Sequence, residues 1–232
     1  MRLIPSAVAA ALLLVPLGVS AQTAPVVLEL YTSQGCSSCP PADALLSELA
    51  GQEGVIALAL HVDYWDYLGW KDEFGRPGNT ARQRAYAKAS RSRTIYTPEI
   101  VVQGDERLKG HDAKSILKGI ARHQQQPAKA SLELVREGDT LKIHLAPTGD
   151  GAGPADVQIV QFIPSQGVSI EAGENAGLDM TYTNIVTDWE NVGRWDGSAP
   201  VDLRYEGLKD GPVAVIVQKT HMGPVLTAAK VD

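Results

Sequence analysis

VVLELYTSQGCSSCPPADALLSEL, residues 26–49, joins a run that is apolar on both faces to an apolar-periodic segment, with the chain's two cysteines at the junction. Val26 to Tyr31 has the texture of a buried central strand. Pro40 and Pro41 follow Cys39, and proline is tolerated in a helix's first turn because its missing N–H has no helical partner there. The spacing predicts a helix through Asp43 to Ala50 that stops at Gly51. A cysteine just ahead of such a helix faces unpaired N–H groups and the positive end of the helix dipole, both of which favour thiolate over thiol. That thiolate attacks disulfides. Cys39, one turn on, is placed to displace the mixed disulfide, so Cys36 and Cys39 suffice for a cycle of thiol–disulfide exchange. The competing reading is a structural disulfide, although so short a loop gains little entropic stabilisation.

Working outward, strands and helices alternate from Val26 to about Gln125, the pattern of an α/β unit. Val55 to Val62 is a second continuous apolar run. Tyr64, Trp65, Tyr67 and Trp70 follow it within a chain that is only 6% aromatic. Asn79 or Thr80 is expected to cap a helix over Ala81 to about Ser92, rich in arginine and lysine. Thr97-Pro98-Glu99 leads into a short strand, Ile100 to Gln103, a turn at Gly104-Asp105, a second strand at Arg107 to Leu108, and a helix over Asp112 to His123. Pro127 marks a change of texture. Eight short runs follow, at Leu132–Arg136, Leu141–Leu145, Val157–Ile163, Val168–Glu171, Leu178–Val186, Val201–Tyr205, Val213–Lys219 and Val225–Ala229. Their Gly, Pro and Asp breaks predict an all-β sandwich. The expected division is therefore 24–126, α/β, and 128–232, β-sandwich.

Residues 1–21 read as a secretory signal, with Arg2, an apolar run over Ala7 to Val19 and small residues at Val19-Ser20-Ala21. That run is too short for a membrane span, and nothing later is long and apolar enough to be one. The expected address is the bacterial periplasm or the exterior, where disulfides persist. Loss of Arg2 moves the net charge from −6 to −7, which argues against nucleic-acid binding.

The order strand, Cys36-Ser37-Ser38-Cys39, helix, strand, helix, Thr97-Pro98, hairpin and helix resembles a thioredoxin fold. The resemblance implies that Pro98 is cis and packs against the cysteine pair. Thr97 then offers backbone groups to a bound peptide. Gly35 stands where thioredoxin has tryptophan, and Ser37-Ser38 replaces Gly-Pro, so neither a reductant nor an oxidant role carries over. The whole mature chain also resembles a family of bacterial secreted proteins of unassigned function with a Cys-x-x-Cys half before a β-rich half. The residues carrying this are Tyr31 to Cys36, His61 to Trp65, Tyr96-Thr97-Pro98 and Gly173-Glu174-Asn175-Ala176-Gly177. Copper-delivery members of the superfamily raise a metal alternative, with Cys36, Cys39 and His61 holding Cu(I), although those proteins space their cysteines one residue wider.

Around the pair, Asp63 is a candidate proton acceptor for Cys39, with a turn or helix cap as the plain alternative. Tyr64 and Trp65 are candidates for the wall of a cleft receiving a polypeptide, or for packing against the second half. His61 reads as a core histidine, and Gly173 to Gly177 as a turn. The expected function is exchange with protein thiols or disulfides of the cell envelope. It needs no cofactor, and a separate redox partner resets the pair. The alternative from another class is a thioredoxin-fold binding module with an inert disulfide.

Overall fold

The computed structural model describes residues 24–149 and 152–232, so the expected leader at 1–21 lies outside it. β1 (Val26–Thr32) and β2 (Val55–His61) are buried along their whole length and run parallel, from Val26 opposite Val55 to Thr32 opposite His61. Neither has a solvent face, so their sequences run apolar without strict alternation. α1 (Pro40–Ala50) begins at the two prolines, earlier than the apolar periodicity alone marks. α2 (Pro77–Ala89) likewise opens at a proline, ahead of the expected caps. Asn79 and Thr80 lie inside its first turn instead, where Asn79 Nδ2 donates to the His61 carbonyl at 2.8 Å.

β3 (Glu99–Val102) pairs antiparallel with β1, and β4 (Glu106–Lys109) with β3. Gln103 and Gly104 carry the turn's positive φ values, 53° and 67°, one residue ahead of the expected Gly104-Asp105. α3 (Ala113–Gln124) is capped by the Asp112 carboxylate, which accepts from the Ser115 N–H at 3.1 Å. Alternate β1 residues face opposite layers. Val26, Leu28 and Leu30 pack on Leu46 and Leu49 of α1 and Ile116 and Ile120 of α3, whereas Val27 and Tyr31 pack on Tyr86 of α2.

Beyond Pro127, β5 (Ala130–Glu137), β6 (Thr140–Pro147) and β9 (Val201–Glu206) form a three-stranded antiparallel sheet. β7 (Ala155–Ser169), β8 (Asp179–Trp195), β10 (Val213–Lys219) and β11 (Val225–Val231) instead join β1–β4 in one eight-stranded sheet of order β11-β10-β7-β8-β2-β1-β3-β4. The change of texture at Pro127 is therefore not a break in the hydrogen-bonded sheet. Ile185 of β8 lies opposite Ala59 of β2, and Asn184 Nδ2 donates to the Ala57 carbonyl at 2.8 Å. The smaller sheet covers the other end, with Leu141, Ile143 and Leu145 packed on Val157, Ile159, Val213 and Val215.

β7 takes in Val168 and Ser169 of the run expected at Val168–Glu171, leaving Ile170 and Glu171 beyond the strand, and β8 takes in the run expected at Leu178–Val186 except Leu178. Past Ile163 and Ile185 the two strands continue as a hairpin arm, paired out to Ser169 and Asp179. Its tip, residues 170–178, returns to the start of α1, where Asn175 bonds the cysteine turn.

Candidate functional site

The C-terminal ends of β1 and β2 meet the N-terminus of α1, and there Cys36 and Cys39 form a disulfide with Cα atoms 5.4 Å apart. Cys39 is the helix N-cap residue, and its carbonyl accepts from the Ala42 and Asp43 N–H groups at 2.8 and 3.1 Å. Ser37 and Ser38 are exposed. Cys36 retains 3% of its surface and Cys39 none. The first thus has a sliver of access to solvent and the second is sealed.

Thr97-Pro98 is a cis peptide at the start of β3. A Cβ on Gly110 would fall 2.7 Å from the Pro98 Cβ and 3.1 Å from the Ala42 Cβ, so the bare glycine is what lets Pro98 lie beside the first turn of α1. Trp65 Nε1 donates to Thr97 Oγ1 at 2.7 Å, and a Cβ on Gly35 would fall 3.3 Å from the Trp65 Cβ. Trp65 therefore spans from the residue before Cys36 to Thr97. Tyr67, 77% exposed, stacks on it with centroids 6.4 Å apart. Tyr64 turns toward α2, where its hydroxyl donates to Gln83 Oε1 at 3.2 Å and burial pushes the phenol up to about 12.

Asp63 accepts from Thr80 Oγ1 at 2.6 Å, so its carboxylate is committed to the first turn of α2. The carboxyl one helical turn beyond Cys39 belongs to Asp43. It is 6% exposed, and neither oxygen has a hydrogen-bond partner. Burial pushes Asp43 up to about 7, against the pull of nearby His61 and of the Thr32 hydroxyl, which lies beside the carboxyl outside good hydrogen-bond geometry. His61 is fully buried, with Nδ1 2.8 Å from Asp72 Oδ2 and Nε2 without a partner. Asp72 also accepts from the Gln34 and Phe74 N–H groups at 2.8 and 2.9 Å, which ties the histidine to the loop preceding Cys36. Tyr182 of β8 closes this polar cluster, 4.7 Å from His61 between ring centroids. Burial, then the Asp43 and Asp72 carboxylates, holds its phenol well above the ordinary tyrosine value.

Among the described residues, the one group of three metal-ligating side chains with atoms within 4.8 Å of one another is Asp105, Glu106 and His123. Cys36, Cys39 and His61 make no such group. Both sulfurs are spent on each other, and the Glu106 oxygens are already bonded to Arg122 and His123.

The reading of Gly173 to Gly177 as a turn missed what the turn touches. Asn175, 5% exposed, donates from Nδ2 to the Gln34 carbonyl at 2.8 Å and the Cys36 carbonyl at 3.0 Å. Ser37 Oγ donates to Glu174 Oε2 at 2.8 Å, and Trp70 Nε1 to Gln34 Oε1 at 2.7 Å. The β-rich half thus contributes directly to the cysteine site. A cleft of about 930 Å³ opens at the opposite ends of β1 and β2, between Pro25, Val55, Ser131 and Lys230, and holds none of these groups.

A solved structure from Agrobacterium tumefaciens is similar over nearly the whole chain, with 33% identity, 91% of this chain and 96% of that chain covered, and a TM-score of 0.78. A hypothetical protein from Pyrococcus horikoshii OT3 matches 44% of this chain and 84% of its own at 15% identity, with a TM-score of 0.21. A superoxide reductase in the oxidised state matches 45% and 86% at 16% identity, with a TM-score of 0.22. Neither of these two superposes closely enough to carry an argument. No curated protein matches. The family model for DUF1223, described as a protein of unknown function, covers residues 27–218, and the chain belongs to that family.

Proposed function

We propose that this protein is a thiol–disulfide oxidoreductase of the periplasm or cell exterior, acting on thiols or disulfides of envelope proteins. In this reading residues 24–126 are a thioredoxin-like unit, supported by the strand order β2-β1-β3-β4 with β3 antiparallel to β1. The β-rich half, built on the second face and the far end of the same sheet, completes the site through its hairpin tip. The single observation that carries the reading is the cysteine pair at the start of α1, with Thr97-Pro98 beside it and a buried carboxyl one turn behind it.

In the reduced protein, the Cys36 thiolate attacks one sulfur of a substrate disulfide. The substrate S–S bond breaks, a substrate thiolate leaves and takes a proton, and a mixed disulfide forms. Cys39 then passes its proton to Asp43 and attacks the Cys36 sulfur. That expels the second substrate thiol and restores the Cys36–Cys39 bond. Two electrons have moved from the pair to the substrate, and a dithiol partner returns them. In the opposite direction the same steps oxidise a substrate dithiol. A carboxyl titrating near 7 is suited to this exchange of protons, because it both gives and takes them at neutral pH. Asp43 replaces Asp63 in this role, since Asp63 is bonded to Thr80.

The second reading, a binding module with an inert disulfide, draws on the low exposure of both cysteines. The two readings part on the reduction potential of the pair, measured by equilibration with glutathione. Exchange requires a value in the enzymatic range, roughly −270 to −120 mV, whereas a structural bond lies below about −300 mV. In parallel, the wild-type protein is expected to accelerate reduction of a protein disulfide such as that of insulin, and Cys36→Ser to leave only the background rate.

A further inference from the structure

We propose that the hairpin tip, residues 173–177, is a gate over Cys36, latched by Asn175 and charged by Glu174, that keeps small anionic thiols off the resting disulfide. The inference rests on the reading of the pair as redox-active, and it concerns who may reach it. Cys36 is only 3% exposed, and two elements lie against the turn that carries it. Trp65 is one, fixed by its bond to Thr97 and its contact at Gly35. The tip is the other.

The tip's hold on the cysteine turn is narrow. Asn175 Nδ2 contributes two hydrogen bonds, to the carbonyls of Gln34 and Cys36, and Glu174 accepts one from Ser37 Oγ. Around them Ala176, Gly177 and Leu178 are exposed, with Leu178 at 43%. Gly173 and Gly177 bound the segment with φ of 79° and 85°, so both ends sit at residues with the widest backbone freedom. The stem below is closed by reciprocal backbone bonds between Ile170 and Leu178 and between Gly177 and Ile170, at 2.9 and 2.7 Å. A tip bonded to the cysteine turn by three polar contacts, with Gly173 packed on Trp70 at its base and a stem that stays paired, is able to swing about that base.

Charge adds a second filter. When a reductant thiolate attacks Cys36, its sulfur bonds to the Cys36 sulfur, the Cys36–Cys39 bond breaks, and the electron pair leaves on Cys39, which takes a proton. The reductant's second thiol, or a second thiol molecule, then displaces Cys36 and completes its own oxidation to a disulfide. The incoming anion must pass the Glu174 carboxylate, bonded to the residue next to Cys36, and like charges repel there. A reductant carrying its own carboxylates is repelled more than a neutral one.

The test is the rate of chemical reduction of the Cys36–Cys39 bond by dithiothreitol, which is uncharged apart from its thiols, and by glutathione, read as free thiol by mass after alkylation. Asn175→Ala removes both latch bonds and is expected to raise the rate with either reagent about tenfold, by raising the open fraction. Glu174→Gln keeps an acceptor for Ser37 and removes the charge. It is expected to raise the glutathione rate about two- to fivefold more than the dithiothreitol rate. Rates for Asn175→Ala within twofold of wild type, with the near-UV circular dichroism intact, overturn the gate. Should Asn175→Ala fail to fold, the exposed Glu174→Gln decides, and an equal response to the two reagents overturns the proposal. Because these rates need no turnover of a protein substrate, a gate without insulin reduction sinks the oxidoreductase reading alone. Insulin reduction with unchanged chemical rates sinks the gate alone.

Discussion

Arg82→Ala is expected to destabilise the protein by about 3–5 kcal/mol, the usual consequence of leaving one member of a buried ion pair alone. Glu29, in the middle of β1, is fully buried, and its carboxylate accepts from Arg82 Nε and Nη2 at 2.7 and 2.8 Å. Tyr31 and Tyr86 hydroxyls donate to the same carboxylate at 2.9 and 2.7 Å. The guanidinium reaches further, to Gln158 of β7 at 3.0 Å and Gln218 of β10 at 2.9 Å, and it stacks 3.8 Å from the ring centroid of Trp189 on β8. Burial works against its charge, and Glu29 more than offsets this, holding the group above its ordinary value. One side chain of α2 therefore ties β1 to three strands of the β-rich half. Without it a carboxylate stays buried with no cation. Urea unfolding measures the loss, and the double variant Glu29→Gln/Arg82→Met is expected to be more stable than Arg82→Met alone. A loss below about 1 kcal/mol for Arg82→Ala would place this network at the level of a surface ion pair and contradict the account.

Asp43→Asn is expected to change both the pH dependence of stability and the exchange rate. The folded carboxyl titrates at about 7, and in the unfolded chain an aspartate titrates at about 3.9. Because the folded value is the higher one, the folded state binds the extra proton between these limits. Its stabilising effect is complete below about pH 4 and is lost as pH rises through about 7. The shift corresponds to about 4 kcal/mol as an upper bound. The wild-type protein should therefore be less stable at pH 8 than at pH 5, and Asp43→Asn should remove most of that difference by being the more stable of the two at pH 8. The same substitution is expected to slow resolution of the mixed disulfide by about 10²-fold, since Cys39 loses its proton acceptor. Equal stability slopes for the two proteins from pH 5 to pH 8 would remove Asp43 from the mechanism.

Much of the first half was legible in residues 26–124 because its signals are local. β1 and β2 run apolar, the prolines mark the openings of helices, and the cysteines sit at a helix start. Asp43 was also within reach, since positions 39, 42, 43, 46 and 49 form one helical face that is otherwise apolar, and a carboxylate there is out of place. An acidic residue in a first turn is so ordinary that it passes as a dipole partner. Asp63 stands two residues past His61 in sequence, but the chain turns at that point and delivers it to Thr80. The runs at Val168–Glu171 and Leu178–Val186 marked parts of the hairpin arm, but not that the two strands pair into one arm. Its buried face is small, Tyr182 with Val168 and Met180 packed around Phe74, and the rest of the arm, Gln166 and Thr183 included, is polar and obeys no period. Asn175 acts on a carbonyl 139 residues away. The two halves share one sheet through the pairing of Ala59 with Ile185, and contacts so distant in sequence leave no mark on composition.

The proposed role makes Cys36 a nucleophile that other proteins meet. Its most direct measurement is trapping: Cys39→Ser, produced in a bacterial envelope, is isolated under non-reducing conditions after acid quenching. Covalent adducts of higher mass are expected that dissolve on reduction and vanish in the Cys36→Ser/Cys39→Ser double variant. A folded Cys39→Ser protein recovered solely as free monomer, under conditions where the wild-type pair is found both reduced and oxidised, would contradict it.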